Sequence, residues 1–234
     1  MQGLAINVGA NTTLPGMRGP IYPDATCCYL PIPERESTSI PPPTYADLSV
    51  PVTIPEEYHN LPVHLDPTFA EYSHCHDYTY GDEHGVKAKP ISRLSAGDYL
   101  FFYATLSTTG TPVYDWIAPE WGVYLIGHFC LAEDPVHGPP KRTLTEAELD
   151  RFAHNAHLKR EPIDPRILVR GQPQHSRLYS RVIPLSSAQS GAAPGELVVN
   201  HTTDSGKGPW WRRPLPIPDP SPFLTWWDCI DAKQ

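Results

Sequence analysis

The sequence predicts an α+β fold: a single domain built on a curved, mostly antiparallel sheet or a small barrel. Segments 99–106 and 122–131 are rich in aromatic and aliphatic residues, as buried strands are. Only segment 146–159 carries a full helical signature. The chain also has 29 prolines and 16 glycines among 234 residues, and this content excludes a helical bundle.

The first third of the chain predicts strands joined by long loops. Residues 2–9 alternate in polarity and are apolar enough for a first strand, and residues 27–31 predict a short second one. Residues 31–62 hold eight prolines and have no helical period. Because apolar residues recur throughout this Pro-rich loop, we expect it to wrap over the surface of one domain, 1–234, and not to divide it.

The centre of the chain predicts sheet, and one helix follows it. Segments 99–106 and 122–131 are expected to pair as antiparallel neighbours. Thr145 and Glu148 form a capping box that opens the helix 146–159, and Pro162 ends it. Two short strands, 167–170 and 180–185, come next, and the tail 209–227 is rich in proline and tryptophan.

Charge is distributed unevenly along the chain. The formal net charge is −8, so the average surface should repel a nucleic-acid backbone. Residues 1–140 hold 5 basic and 16 acidic side chains, whereas residues 141–181 hold 9 basic and 5 acidic ones. The basic segment predicts either a face for phosphate or a surface laced with salt bridges.

The sequence gives no sign of a membrane span, a secretion signal or a disulfide framework. The first ten residues have no basic start and no window approaches about 18 apolar residues, so a soluble cytoplasmic protein is expected. The five cysteines lack CxxC spacing. The cluster His74-Cys75-His76-Asp77 lacks the spacing of structural zinc sites, so no metal site and no cofactor are assigned.

Several residues could contact a nucleotide. Recognition of a base outside a stacked duplex requires aromatic or apolar faces, directed polar groups and cations for phosphate. Asn11 could equally cap its own turn, and the tyrosines could be ordinary packing residues. The predicted nucleotide-binding residues are Asn7, Asn11, Arg18, Tyr78, Tyr80, Phe102, Tyr103, Asn155, Arg160, Arg170, Ser176 and Arg177.

Three residues could transfer protons in a reaction. His154 and His157 lie three apart on the predicted helix and share a face, and imidazole exchanges protons near neutrality. Asp82 offers a carboxylate beside the two tyrosines. The structural alternatives are a buried His157 bonded to a backbone carbonyl and a merely exposed His154.

Motifs of the common nucleotide enzymes are absent from the sequence. It contains no GxGxxG after a strand, no GxxxxGK[ST], no GxSxG and no HxE…PCxxC signature. His64-Leu65-Asp66 has the His-x-Asp spacing of an iron-binding facial triad. That fragment lies between Pro62 and Pro67 with no strand predicted beneath it, so an oxygenase is a weakly supported alternative.

Several blocks resemble the third of the nucleotide modification associated domain families. They include Arg18-Gly19-Pro20-Ile21-Tyr22-Pro23-Asp24, Tyr78-Thr79-Tyr80-Gly81-Asp82 and His154-Asn155-Ala156-His157-Leu158-Lys159-Arg160, and they extend over most of the chain. The resemblance implies involvement with modified DNA bases in phages and prokaryotes, beside base-modifying enzymes. It implies no particular reaction, because the label covers modifying enzymes and readers alike.

A second resemblance concerns the fold. The turn Gly97-Asp98 and the strand after it, followed by Tyr124-Leu125-Ile126-Gly127-His128-Phe129, are similar to the barrel core of PUA-like domains, including EVE and ASCH modules. In those domains a small barrel has a cleft for a base or nucleotide.

Three functions follow as hypotheses. The first is a protein that holds a nucleotide or modified base in an aromatic cleft, with arginines toward phosphate. The second is an enzyme that modifies or removes a DNA base with Asp82 and His154 or His157, which requires Asp82 and His157 to face one cavity. The third is a structural protein that holds a partner with its tryptophan-rich tail.

Overall fold

The computed structural model describes residues 1–9, 14, 17–204 and 209–231, and the fold is α+β as predicted. The strands are β1 (Gly3–Gly9), β2 (Pro20–Ile21), β3 (Thr79–Asp82), β4 (Tyr99–Thr108), β5 (Trp121–Cys130), β6 (Val136–His137), β7 (Ile167–Arg170), β8 (Arg177–Pro184), β9 (Ser186–Ser187), β10 (Ser190–Pro194) and β11 (Leu215–Ile217). The α-helices are α1 (Gly85–Ile91), α2 (Glu146–Arg151), α3 (Glu196–His201), α4 (Ser221–Leu224) and α5 (Trp226–Asp231).

The central sheet has the order β11-β1-β4-β5-β8, and β2 pairs with the far end of β4. Strands β4 and β5 pair antiparallel as predicted, with Tyr99 opposite Cys130 and Ser107 opposite Trp121. Strand β1 runs parallel to β4, as does β2, and the other pairs of this sheet are antiparallel. Within the described residues the sheet does not close into a barrel.

Both faces of the central sheet are buried. Side chains alternate along a strand, so Leu100 and Phe102 of β4 enter one apolar cluster while Phe101 and Tyr103 enter another on the opposite face. The second cluster is completed by the tail: Trp210 is buried there, and β11 pairs with β1. This two-sided burial explains why the strand is an almost continuous apolar run.

Two predicted elements differ in the structure. Residues 27–31 form no strand; Thr26 and Cys27 make only isolated bridges. The helix predicted over 146–159 ends at Arg151, and a 3-10 helix, Ala156–Leu158, follows after a turn. Asn155 causes the break, because its backbone is extended and its side chain accepts a hydrogen bond from His157 N, which caps the next turn.

A second, three-stranded antiparallel sheet has the order β3-β7-β6, and its edge strand β3 borders the pocket described below. Strand β7 matches the predicted segment 167–170. The Pro-rich loop lies over this side of the molecule, with Tyr45, Leu48 and Ile54 buried in a third apolar cluster. No helix in the described part of the chain is both long enough and apolar enough to span a membrane.

Candidate functional site

A pocket of about 200 Å³ opens at the end of β3. Its walls come from five segments that are far apart in sequence: the end of β1, the Pro-rich loop with the residues just after it, β3, the start of α1, and the 3-10 helix with Arg160. The lining is rich in ionisable groups, among them Asp66, Asp82, Glu83, Lys87 and His157. Such a concentration is typical of a site that binds ions or performs proton chemistry.

Asp66 forms part of the floor and is fixed by hydrogen bonds. Its Oδ1 accepts from Gly81 N at 3.0 Å and from Asn155 Nδ2 at 2.9 Å, and it is 6% exposed. Gly81 is required there, because a Cβ on it would lie 2.8 Å from both Asn155 Oδ1 and His157 Cδ2. The glycine therefore lets the 3-10 helix approach β3 closely enough to place His157 over Asp66.

Two histidines flank Asp66, and each has a carboxylate behind it. His64 Nδ1 lies 2.6 Å from Glu34 Oε2, and His157 Nδ1 lies 2.8 Å from Asp164 Oδ1. The Nε2 atoms of His64 and His157 lie 4.0 Å and 3.5 Å from Asp66 Oδ2. The two imidazole rings meet nearly at right angles, with centroids 5.0 Å apart.

Arg160 ties the outer carboxylates together. Its guanidinium donates to both oxygens of Glu34, at 3.0 and 3.2 Å, and to Glu83 and Asp164, at 2.7 and 2.8 Å. Burial opposes the ionisation of Glu34, but hydrogen bonds from His64 and Arg160 outweigh it and lower its pKa to about 2. Arg160 is 8% exposed, so its positive charge is neutralised by carboxylates inside the protein and is not offered to solvent.

The carboxylates also act on His157. Burial disfavours its imidazolium form, but hydrogen bonds to Asp164 and Asp66 outweigh burial and raise the pKa of His157 to about 9. The floor of the pocket is therefore an environment that favours positive charge.

A second group of polar side chains lies on the β3 and α1 side. Tyr80 donates to Asp82 Oδ2 at 2.5 Å, and His84 N donates to Asp82 Oδ1 at 2.6 Å. Lys87 Nζ lies 3.3 Å from Asp82 Oδ2 and 3.4 Å from the Tyr80 hydroxyl. Burial and the nearby carboxylates raise the pKa of Tyr80 well above its usual value, so it stays a neutral phenol.

Helix α1 separates this pocket from a basic groove of about 370 Å³. Lys89, His137, Lys141 and Arg166 line the groove, and the lysines and the arginine are exposed. Burial and the positive charges of Lys141 and Arg142 lower the pKa of His137. The groove therefore carries a local positive potential on an acidic protein.

Comparison with known families shows which family the chain belongs to. A family model described as nucleotide modification associated domain 3 matches residues 2–223. The chain belongs to this family. Among curated proteins and among solved structures, none matches the chain.

In this member of the nucleotide modification associated domain 3 family, some residues predicted from the sequence do meet in the pocket. Asp82 and His157 line the same cavity, as the enzyme hypothesis required. Asn7, Tyr80 and Arg160 also line it. Asn155 lies directly behind the floor, completely buried, and donates to Asp66 instead of facing a ligand.

The other predicted residues lie away from this pocket. His154 is exposed and faces Asp77, with 3.2 Å between His154 Nδ1 and Asp77 Oδ2. Tyr78, Phe102 and Tyr103 are buried in the apolar clusters, so they offer no open stacking face. Asn11 lies outside the described residues. Of the remaining four, Arg18 lies over Trp121, Arg170 ends β7, Arg177 begins β8, and Ser176 is buried and accepts from Cys130 N.

Sequence reasoning singled out His157 and the pair His64 and Asp66 separately, but it did not predict that they meet at the floor of the pocket. His64 and Asp66 gave a signal through their His-x-Asp spacing, but their third neighbour, His157, is more than 90 residues later. Glu34, Glu83 and Asp164 gave no signal, because isolated acidic residues in loops have no distinguishing pattern. The residues of the cluster His74-Cys75-His76 are not among those lining this pocket.

Proposed function

We propose that this protein is an enzyme that modifies a nucleotide base, with the pocket at the end of β3 as its active site. The observation that carries the proposal is that Asp82 and His157, on separate elements, line one cavity together with Asp66 and His64. A binding module needs only shape and directed polar contacts, whereas buried ionisable groups held close together are costly and are typical of catalysis.

Asp82 is the proton-transfer group in this proposal. Its carboxylate is oriented by Tyr80 and by His84 N, which fixes it toward the pocket at the end of β3. Lys87 is the cation of this group, and its side chain is 25% exposed at the pocket wall. Lys87 can thus bind an anionic group of the substrate, and Asp82 can exchange a proton with the base.

The basic groove supports a substrate that carries phosphate. Lys89, Lys141 and Arg166 lie on the opposite side of α1 from Lys87, so a nucleotide strand could cross α1 with its base in the pocket and its phosphates in the groove. This assigns the phosphate contact to the groove. The sequence predicted Arg160, Arg170 and Arg177 for this contact; Arg160 is already bonded to three carboxylates, and Arg170 and Arg177 are not among the residues that line the pocket or the groove.

The geometry favours this enzyme over an aromatic reader. Of the aromatic side chains predicted to stack on a base, only Tyr80 borders the pocket, and its hydroxyl is bonded to Asp82. The tryptophans of the tail pack on the protein itself: Trp227 lies under Arg181, 3.7 Å from ring centroid to guanidinium carbon, and Trp116 contacts Trp226.

The test measures both retention and chemistry. The purified protein is incubated with single-stranded and double-stranded DNA containing normal or modified bases, and with the corresponding free nucleotides. Bound fraction is measured by filter retention, and nucleoside composition by mass spectrometry after digestion. A new or missing nucleoside supports the proposal; retention with unchanged nucleosides across the panel would contradict it and favour a reader.

A further inference from the structure

The floor of the pocket brings together three donor atoms of the kinds that bind transition metals. His64, Asp66 and His157 each offer one ligand atom within 4.8 Å of the other two, and the Nε2 atoms of the two histidines lie 4.0 and 3.5 Å from Asp66 Oδ2. All three residues are buried, at 4 to 6% exposure. Imidazole nitrogen suits zinc, iron, copper and nickel, and two histidines with one carboxylate form a known site for such ions.

The partners behind the ligands strengthen this interpretation. In metal sites, a ligating histidine donates its other ring N–H to a carboxylate or carbonyl, which fixes the tautomer and aims the lone pair at the ion. Glu34 is placed to accept from His64 Nδ1, and Asp164 from His157 Nδ1. Both histidines would then present Nε2 lone pairs toward Asp66.

Asp66 is held in the same way. Asn155 Nδ2 donates to its Oδ1, and Gly81 N is shared between Oδ1 at 3.0 Å and Oδ2 at 3.1 Å. Oδ2 also faces the Nε2 atoms of the two histidines, at 4.0 and 3.5 Å, and a carboxylate oxygen that accepts one hydrogen bond keeps a second lone pair for an ion. Each of the three proposed ligands is therefore oriented by hydrogen bonds with residues behind it, in addition to lying close to the other two.

A neighbouring cluster provides an internal comparison. Glu83, His157 and Asp164 also lie close enough to hold an ion. The guanidinium of Arg160 already donates to Glu83 and Asp164 at 2.7 and 2.8 Å, so that cluster has its cation. Around Asp66 the described residues place no lysine or arginine within ion-pair distance, so its cationic partner is His157, whose Nε2 proton a metal ion would displace on binding.

We propose that His64 Nε2, His157 Nε2 and Asp66 Oδ2 bind one divalent transition-metal ion at the floor of the pocket. Three protein ligands on one side leave the remaining coordination positions open to the cavity, where water or a substrate atom can bind. The metal proposal rests on ligand geometry alone, so it does not depend on which reaction the pocket performs. If the proposed function is also correct, the ion would face the base that Asp82 acts on.

The test is a direct measurement of metal binding. The full chain is freed of metal with a chelator and titrated with Co²⁺, whose visible absorption reports the number and type of ligands, and with Zn²⁺, Mn²⁺ and anaerobic Fe²⁺ by calorimetry. We expect one ion per chain and a Co²⁺ spectrum with nitrogen and oxygen ligands. A folded wild-type protein that binds none of the four ions would overturn the proposal.

Variants locate the ion. His64→Gln, His157→Gln and Asp66→Asn should each weaken binding by at least about 100-fold, and Glu34→Gln, which acts through His64, by about 10- to 100-fold. His76→Gln is the matched control: it changes an exposed histidine of the cluster around Cys75 and should leave affinity unchanged. Circular dichroism of each variant checks folding, and wild-type affinity in all three folded ligand variants would refute the assignment.

The outcomes for metal and for catalysis are separable. Metal bound at this site with unchanged nucleosides in the DNA panel keeps the metal proposal and contradicts the enzyme. Nucleoside change by metal-free protein, unaffected by added ions, keeps the enzyme and shows that the ion has no part in the reaction.

Discussion

The role that can be assigned to Asp82 depends on the hydrogen bonds that orient its carboxylate. In the sequence it is one carboxylate after two tyrosines. In the structure its two oxygens accept hydrogen bonds from Tyr80 and from His84 N, and Lys87 is nearby. Such a carboxylate has one orientation, which proton transfer to a bound base requires.

Replacing Asp82 with asparagine is expected to lower the rate of base modification about 100- to 10,000-fold, the range of general acid–base catalysis. Asparagine keeps the size, and its Oδ1 can accept from His84 N while its Nδ2 donates to the Tyr80 hydroxyl, so substrate retention should change little. The rate is measured by mass spectrometry of nucleosides under single-turnover conditions. Asp115→Asn, which changes an exposed aspartate, is the control; an Asp82→Asn protein as fast as this control would remove Asp82 from the mechanism.

His64 and Asp66 mark the limit of sequence reasoning for the site. Their His-x-Asp spacing was visible in the sequence, but assigning a metal site required a third ligand close to them in space. That ligand, His157, is brought by the 3-10 helix packing on β3, an event that depends on Gly81 and Asn155. Contacts between residues so distant in sequence follow from tertiary packing and leave no local periodicity to read.

At the scale of elements, β3 is the scaffold of the pocket. It pairs with β7, with Thr79 opposite Arg170 and Asp82 opposite Ile167, and this fixes which side chains of β3 face the cavity. The 3-10 helix lies against Gly81 because only a glycine leaves space for it. The geometry of the site is therefore set by backbone packing as much as by the ligands themselves.

Gly81→Ala tests this packing. The added methyl would lie 2.8 Å from Asn155 and His157 atoms, so we expect a loss of about 1 to 3 kcal/mol in the free energy of unfolding, together with weaker metal binding. Gly85→Ala is the matched control, because nothing lies within 4 Å of its Cβ and it sits at the start of α1, where alanine should be neutral or stabilising. Urea unfolding measures both; equal stability of the two variants would contradict the close approach.

The capping box of α2 predicts a pH dependence. Hydrogen bonds from Arg142 and Thr145 lower the pKa of Glu148 to about 2. A carboxyl with a depressed folded-state pKa adds stability above its unfolded value of about 4.3, and this is lost as the pH falls toward 2. The difference in unfolding free energy between wild type and Glu148→Gln should be below about 1 kcal/mol at pH 6, because the pair is near the surface, and should shrink steadily as the pH falls from about 5 toward 2.

Urea titrations of both proteins from pH 6 to pH 2 measure this difference. The contributions of the other carboxylates are the same in both proteins, so they cancel in the subtraction. A difference that grows as the pH falls would contradict the assignment to Glu148. Glu146→Gln, at an exposed position of the same turn, serves as control.

The elements that were predicted well share a physical cause. Strands β4 and β5 are long and buried on both faces, so composition alone identified them, and the helix start was fixed by a capping box that the structure contains. The predicted end of the helix was wrong because Asn155 interrupts it. Its side chain accepts from His157 N, which caps the 3-10 helix, and donates to Asp66. Local propensity was overridden where tertiary contacts needed a different backbone.

At the scale of the whole molecule, five of the nine basic residues in segment 141–181 fall into two groups. Arg142, Arg151 and Arg160 are paired with acidic side chains, as the salt-bridge interpretation predicted. Lys141 and Arg166 instead join Lys89 in the groove. Part of the positive charge of the segment therefore lies at the surface, in the groove beside the pocket.

Removing two of these charges should weaken nucleic-acid binding without changing base preference. For Lys141→Ala/Arg166→Ala we expect the slope of log K against log salt to fall by about 1.4 to 1.8, since each phosphate contact contributes about 0.7 to 0.9. Fluorescence anisotropy at several salt concentrations measures the slope. Arg35→Ala/Arg93→Ala removes the same charge from exposed positions outside the groove, and an equal fall in that control would show a general charge effect.

The burial of both faces of the central sheet has a consequence for recognition. Single-stranded nucleic acids are often read by bases that stack on aromatic residues displayed on an open sheet. Here the alternating aromatics of β4 are covered on one side by the first apolar cluster and on the other by the tail. The central sheet therefore offers no open aromatic face for stacking, and any base that enters the proposed site must do so at the loops and strand ends around the pocket.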